Sequence, residues 1–209
     1  MSQELIKRIL SSLILIPITL FFIIKGSFLF LFFISICLGL IIYEWYMMSK
    51  KKSYSIFGFI FLFFSFYTVF KLRIDNDYWI LLFIITICVS TDIGGYVFGK
   101  IFKGPKLTKF SPNKTYAGMI GGYLLSIISA IILNNFYLSE ELPINWFIFI
   151  ILISTISQLG DVIISYFKRL SKIKDTGKII PGHGGLLDRV DGMIFAFPFS
   201  YLIFLIDFL

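Results

Sequence analysis

Apolar residues run along this chain in long unbroken stretches, and the charged residues collect between them. A helix needs roughly 20 apolar residues to cross about 30 Å of hydrocarbon. Seven stretches approach that length, at 9–24, 27–48, 54–70, 78–98, 116–138, 144–167 and 190–209. The period-2 alternation of a β-barrel is absent. No internal repeat and no Pro- or Ser-rich linker divides the sequence. The pattern predicts an all-α, polytopic integral membrane protein of about seven transmembrane helices, forming a single domain over 1–209 with its active-site loops in the cytoplasm. The first stretch follows Lys7 and Arg8, as a signal peptide would. No small-residue cleavage site comes after it and a second span begins almost at once, so it is expected to stay as a helix.

Composition sharpens this picture. Apolar types make up 58% of the 209 residues and charged types 15%, and Phe alone contributes 26. A soluble domain of this size leaves about a third of its surface in water, so this much apolar surface calls for lipid as solvent. Disorder, a disulfide scaffold and an acidic tail are excluded. Cys37 and Cys88 both fall inside apolar runs and read as small buried hydrophobes rather than a redox pair.

Charge supplies orientation. Lys7 and Arg8, then Lys50, Lys51 and Lys52, then Lys100, Lys103, Lys106, Lys109 and Lys114, then Lys168, Arg169, Lys172, Lys174, Lys178 and Arg189 all fall on one side of a seven-span arrangement. Only Lys25, Lys71 and Arg73 fall on the other side, with Glu140 and Glu141. Such an asymmetry places the N-terminus and the basic loops in the cytoplasm and the C-terminus outside. The +7 net charge is therefore mainly a topology signal. It favours anionic lipid headgroups and requires no nucleic-acid partner.

Two acids lie within the spans, Asp92 in Ser-Thr-Asp-Ile-Gly-Gly-Tyr and Asp161 in Ser-Gln-Leu-Gly-Asp. A carboxylate at the bilayer centre costs on the order of 3 kcal/mol, so such residues face a polar cavity or a partner. At 1.5 Å per residue both sit ~10–12 Å inside the cytoplasmic helix ends, a matched depth that points to one shared site. Asp161, Ser165 and Lys168 or Arg169 recur on one helix face. Asp188 and Asp191 share a face of the last span, beside Arg189. The loop before them, Pro181-Gly182-His183-Gly184-Gly185, holds the only histidine, and its glycines permit a backbone nest for an anion.

Carboxylates for a hard cation, several Lys and Arg, and Gly-rich turns suit Mg²⁺ shared with substrate phosphates. No P-loop, HExxH, zinc quartet or GxSxG elbow is present. Residue types alone therefore point to an Mg²⁺-dependent transferase acting on a phosphate-bearing membrane substrate. Two other readings stay open on these grounds: a CTP-dependent lipid kinase, which would move the γ-phosphate to an alcohol, and a cation transporter with Asp92 and Asp161 as ion ligands.

The run from Ser165 through Lys168-Arg169, Lys174-Asp175, Gly177, Pro181-Gly182-His183-Gly184-Gly185 and Asp188-Arg189 to Asp191 resembles the signature of the phosphatidate cytidylyltransferases, also called CDP-diacylglycerol synthases. Asp92-Ile-Gly-Gly95-Tyr96 through Gly99, Ser111-Pro112-Asn113-Lys114-Thr115 to Gly118, and Gly160-Asp161 are similar to it as well. Asn113 departs from the pattern, where Lys is expected, and typical members have eight or nine spans. The resemblance implies transfer of the cytidylyl group of CTP to phosphatidic acid, giving CDP-diacylglycerol and pyrophosphate, in the inner (plasma) membrane. It implies Mg²⁺, with K⁺ as an additional cation, and a homodimer. By the same resemblance Asp161, Asp188 and Asp191 would bind metal, and Lys168, Arg169 and Arg189 would neutralise phosphates. Ser165, Lys114, Lys174, Asp175, His183, Gly184, Gly185 and Asp92 would support substrate.

The charge asymmetry gives a direct test. Single cysteines at positions 51, 105 and 176 should react with an impermeant thiol reagent only from the cytoplasmic face, and one at 140 only from outside. Labelling of any of these from the wrong face would break the seven-span topology.

Overall fold

The computed structural model describes residues 3–108, 111, 114–137, 144–177, 179–180 and 184–206, with side chains at Ser11 and from Leu13 onward. The regular elements among them are helices: α1 (Gln3–Lys25), α2 (Ser27–Ser49), α3 (Ser55–Asp75), α4 (Tyr78–Phe102), α5 (Tyr116–Tyr137), α6 (Ile144–Leu170), the single turn α7 (Leu187–Val190) and α8 (Met193–Leu205). Many of these segments are rich in Ile and Phe, types that favour strands in water. In lipid only a helix, or a closed barrel, satisfies every backbone N–H and C=O. Helices result.

Five of them, α2 to α6 with α5 counted over Tyr116–Phe136, are long and apolar enough to cross a membrane. The remaining apolar segments, Leu13–Lys25 and Met193–Leu205, are shorter. Within the expected stretch at 190–209, a turn at Asp191 and Gly192 separates α7 from α8. Backbone angles there stay right-handed, with φ −56° at Asp191 and −75° at Gly192. Several helices outrun the hydropathy reading, α6 to Leu170 and α4 to Phe102. Outward faces are apolar: Phe136 is 82% exposed and Phe28 76%. A surface of that kind belongs in lipid.

Glycine makes the closest helix pair. Gly94 on α4 meets Gly121 and Gly122 on α5, Gly95 and Gly99 meet Gly118, and a Cβ on Gly118 would lie 2.6 Å from the Gly95 carbonyl oxygen. Lipid offers no hydrophobic drive for helices to associate, so small residues that let backbones touch supply the attraction. Between α4 and α6, Thr91 donates a hydrogen bond to Ser154 at 2.8 Å, and Tyr123 on α5 pairs with Thr155 at 2.9 Å. The main core combines Phe83, Ile84 and Ile87 of α4, Phe149, Ile150 and Ile153 of α6, and Ala196 and Phe197 of α8. A second cluster joins Ile41, Trp45 and Met48 of α2 to Leu62, Ile164, Leu187 and Ile194. That cluster carries the site-forming loop on its polar edge.

At the opposite end, Arg73 closes α1. Its Nε donates to the Ile23 carbonyl at 2.8 Å and Nη2 to Ile24 at 3.4 Å, occupying carbonyls that the helix end leaves open. Cys37 and Cys88 are both free thiols, Cys88 fully buried, as expected of packing residues.

Candidate active site

Asp161 lies on α6 and Asp191 in the corner between α7 and α8, each next to a glycine. A Cβ on Gly192 would lie 2.7 Å from the Ser157 carbonyl oxygen and collide with the Ser157 hydroxyl. One on Gly160 would meet the Phe195 ring at 2.6 Å and the Asp191 carbonyl oxygen at 3.0 Å. The missing side chains let the corner settle onto α6, and this closeness brings the two carboxyls within electrostatic range of each other. The Gly192 N–H donates to Asp191 Oδ1 at 2.9 Å and fixes its rotamer.

Lysines close the cluster. Buried Lys168, two turns along α6 from Asp161, places its Nζ 3.0 Å from Asp188 Oδ1 and 3.9 Å from Asp191 Oδ2. Asp188 and Asp191 therefore do share a face, as the i, i+3 spacing requires. Lys114 pairs with Asp161 Oδ2, and Ser165 donates to Asp161 Oδ1 at 3.3 Å. The segment holding Lys114 is pinned by Leu107 N–H to the Lys114 carbonyl at 2.7 Å, and Thr115 Oγ1 accepts the Gly118 N–H at 3.1 Å as the N-terminal cap of α5. Asp92, not covered by protein, lies within electrostatic range of Asp161, Lys114 and Arg189. The matched depth of Asp92 and Asp161 does mark one site.

Asp188 has a different task from its neighbours. Its Oδ2 accepts the Thr176 N–H at 2.8 Å and the Gly185 N–H at 3.0 Å, so it ties the loop after α6 to α7. Gly184, at φ +88°, has Asp188 Oδ2 3.0 Å from where a Cβ would sit, and its carbonyl accepts the Ile180 N–H at 2.9 Å. Close approach and positive φ both call for glycine here. Across the same loop lies a residue that the sequence reading passed over. Glu44 of α2, 1% exposed, accepts the Leu186 N–H at 2.9 Å through Oε1, and the Leu187 N–H at 2.8 Å and the Thr176 hydroxyl at 3.1 Å through Oε2. An acid inside an apolar stretch was the signal that singled out Asp92 and Asp161, and Glu44 carries it too.

Other candidates sit at the margin. Arg169 is exposed and one guanidinium nitrogen donates to the Ile173 carbonyl at 3.2 Å, where it complements the negative end of α6. Lys174 and Asp175 are exposed on the loop, and the Asp175 Cβ lies beside Gly184. Gly185 is buried against Thr176 and Glu44. His183, with Pro181 and Gly182, lies outside the described residues.

Among the described residues no group of three or more His, Cys, Asp or Glu side chains could hold a metal ion by themselves. The donor chemistry still fits Mg²⁺, which binds through one or two carboxylates and completes its shell with waters and substrate phosphates. Asp161 and Asp191, each beside a lysine, supply that pair.

Membrane-length helices that gather carboxylates and lysines at one depth define a membrane-embedded enzyme for phosphate-bearing substrates. A sequence model described as the cytidylyltransferase family matches residues 54–207, and the chain belongs to that family. Over 96% of its length it is 34% identical to the phosphatidate cytidylyltransferase of Rickettsia felis, spanning 92% of that protein. It is 35% identical to the protein of the same name from Rickettsia bellii, again over 96% of this chain and 91% of the relative. Against that of Brucella suis it is 34% identical over 82% of the chain and spans 63% of the relative.

Gly192→Ala tests how the carboxylates are brought together. The added methyl should cost about 1–3 kcal/mol of stability and lower turnover at least about tenfold through a small misplacement of Asp191, with membrane insertion intact. Wild-type turnover by the folded variant would show that the close contact of α6 with the α7–α8 corner is dispensable.

Proposed function

We propose that this cytidylyltransferase transfers the cytidylyl group of CTP to phosphatidic acid, giving CDP-diacylglycerol and pyrophosphate, at the cluster of Asp161, Asp188, Asp191, Lys168 and Lys114. The observation that carries this reading is that Asp161 and Asp191 adjoin beside two lysines, an arrangement of oxygen donors and cations suited to phosphates. A phosphate oxygen of the lipid attacks the α-phosphorus of CTP, and the bond from that phosphorus to pyrophosphate breaks. A phosphomonoester is already largely dianionic near neutral pH (second pKa ≈ 6), so no general base is needed. The work left to the protein is positioning and charge neutralisation.

Lys168, Lys114 and Arg189 would hold phosphates, with Arg169 and Lys174 at the loop edge and Ser165 as a hydroxyl donor. Gly184 would offer its backbone N–H, Gly185 would keep the loop in shape through its bond to Asp188, Asp175 and Asp92 would line the approach, and His183 would support substrate. Asp161 and Asp191 would hold Mg²⁺, with Asp188 setting Lys168 and the loop beside them, and K⁺ would be the additional cation. When bound, Mg²⁺ would neutralise phosphate charge and orient the two substrates. The protein would work as a single seven-span domain and as a homodimer in the inner (plasma) membrane. Its N-terminus and basic loops would face the cytoplasm, where CTP is found, and its C-terminus the outside.

Purified protein incubated with labelled CTP and phosphatidic acid should release pyrophosphate and form a nucleotide-lipid. Release of CDP instead would establish the kinase reaction, and ion flux in liposomes without CTP turnover the transporter. EDTA should abolish turnover and Mg²⁺ restore it, while Asp161→Asn and Asp188→Asn should each remove it with insertion preserved. Near-normal turnover in both variants would overturn the metal site.

A further inference from the structure

An ionised group enclosed by protein within a membrane helix is costly unless its oxygens are occupied. Glu44 meets that demand without a counter-charge: among the described residues it forms no ion pair. Its two oxygens are taken by two backbone N–H groups and one hydroxyl, all from residues 176–187. The surroundings are shaped to it. A Cβ on Gly177 would lie 2.9 Å from Oε1, and one on Gly185 would lie 2.5 Å from Oε2. Behind it, Trp45 packs edge-on against Phe167 of α6 at 5.4 Å between ring centroids, and Tyr54 bonds Ser171 at 2.9 Å. The α2 end that carries Glu44 is thereby anchored to the helix that carries Lys168.

Asp188 grips the same loop from the opposite side, and the two carboxylates meet at Thr176. Its N–H goes to Asp188 and its hydroxyl to Glu44. Gly185 gives its N–H to Asp188, while the next two N–H groups, of Leu186 and Leu187, turn to Glu44. Alternate donors of one short segment are thus shared between an acid of the site and an acid 144 positions earlier in the chain. We propose that Glu44 is a positioning residue for the transfer reaction: it fixes Thr176, Leu186 and Leu187, and through them sets Asp188 against Lys168. This role rests on the reaction proposed above, but the loop geometry can be measured without it.

Glu44→Gln keeps the shape and replaces one acceptor by a donor that faces N–H groups. In the full-length protein in detergent, hydrogen exchange of peptides covering 176–187 should quicken about tenfold or more, while α4–α5 peptides stay unchanged. Per folded protein, kcat should fall about 10- to 100-fold, the penalty of a small misplacement near the chemistry, with KM for CTP changed less than about threefold. Thr176→Val removes a single hydrogen bond and should give a smaller loss. The double variant should be no worse than Glu44→Gln, since both act through one contact. Should Glu44→Gln fail to fold, Thr176→Val carries the test alone: faster exchange with reduced kcat supports the role, and wild-type values overturn it. Faster exchange with wild-type kcat, or a lost kcat with unchanged exchange, also overturns it. A wild-type protein that forms a different product would overturn the proposed reaction, and the exchange arm would still decide whether Glu44 holds the loop.

Discussion

Like charges repel most strongly where water is excluded, and this protein holds two carboxyls together in such a place. Asp161 and Asp191 come from different helical elements and reach one another because Gly160 and Gly192 let the α7–α8 corner rest on α6. Everything else in the site can be understood as a response to that juxtaposition. Lys114 pairs with Asp161 from one side, and Lys168 lies between Asp188 and Asp191 on the other. The arrangement favours added positive charge, and a phosphate-bound divalent ion supplies charge of that kind.

The same economy governs the scaffold. Packing alone must join helices in lipid, so close pairs are built on glycine, with Gly94 against Gly121 and Gly122 and with Gly95 and Gly99 against Gly118, and on short hydroxyl contacts such as Thr91 to Ser154. Lys114 is delivered by the start of α5, Asp92 by α4, and Asp161 by α6. The glycine seam that joins α4 to α5 thus also sets Asp92 and Lys114 at a common level. Stability and site geometry share their contacts, which is why small-to-large changes at these glycines act on both.

Much of this was legible in the order of residues. Apolar run length located the long helices, since nothing but a helix satisfies the backbone in hydrocarbon. Charges placed inside apolar runs located Asp92 and Asp161, and helical spacing put Ser165 and Lys168 beside Asp161 and Asp188 beside Asp191. The division of the last predicted span into α7 and α8 at Asp191-Gly192 is not registered by apolar count. Arg169 was expected at phosphate, and the bond from one of its nitrogens to its own helix end is set by side-chain direction, which residue type does not reveal. Asp188 was read as a ligand, and its two loop N–H bonds depend on a backbone path that spacing does not reveal. Glu44 was missed although the rule that exposed the other acids applied to it. The pairings of Gly160 and Gly192 are three-dimensional and leave no linear trace.

The most direct test of this account is an experimentally determined structure of the protein in a lipid nanodisc with Mg²⁺ and a non-hydrolysable CTP analogue. The expected result is a cation about 2.1 Å from carboxylate oxygens of both Asp161 and Asp191, in contact with the nucleotide phosphates. Carboxylates standing apart, turned towards acyl chains, or bypassed by the ion would contradict it.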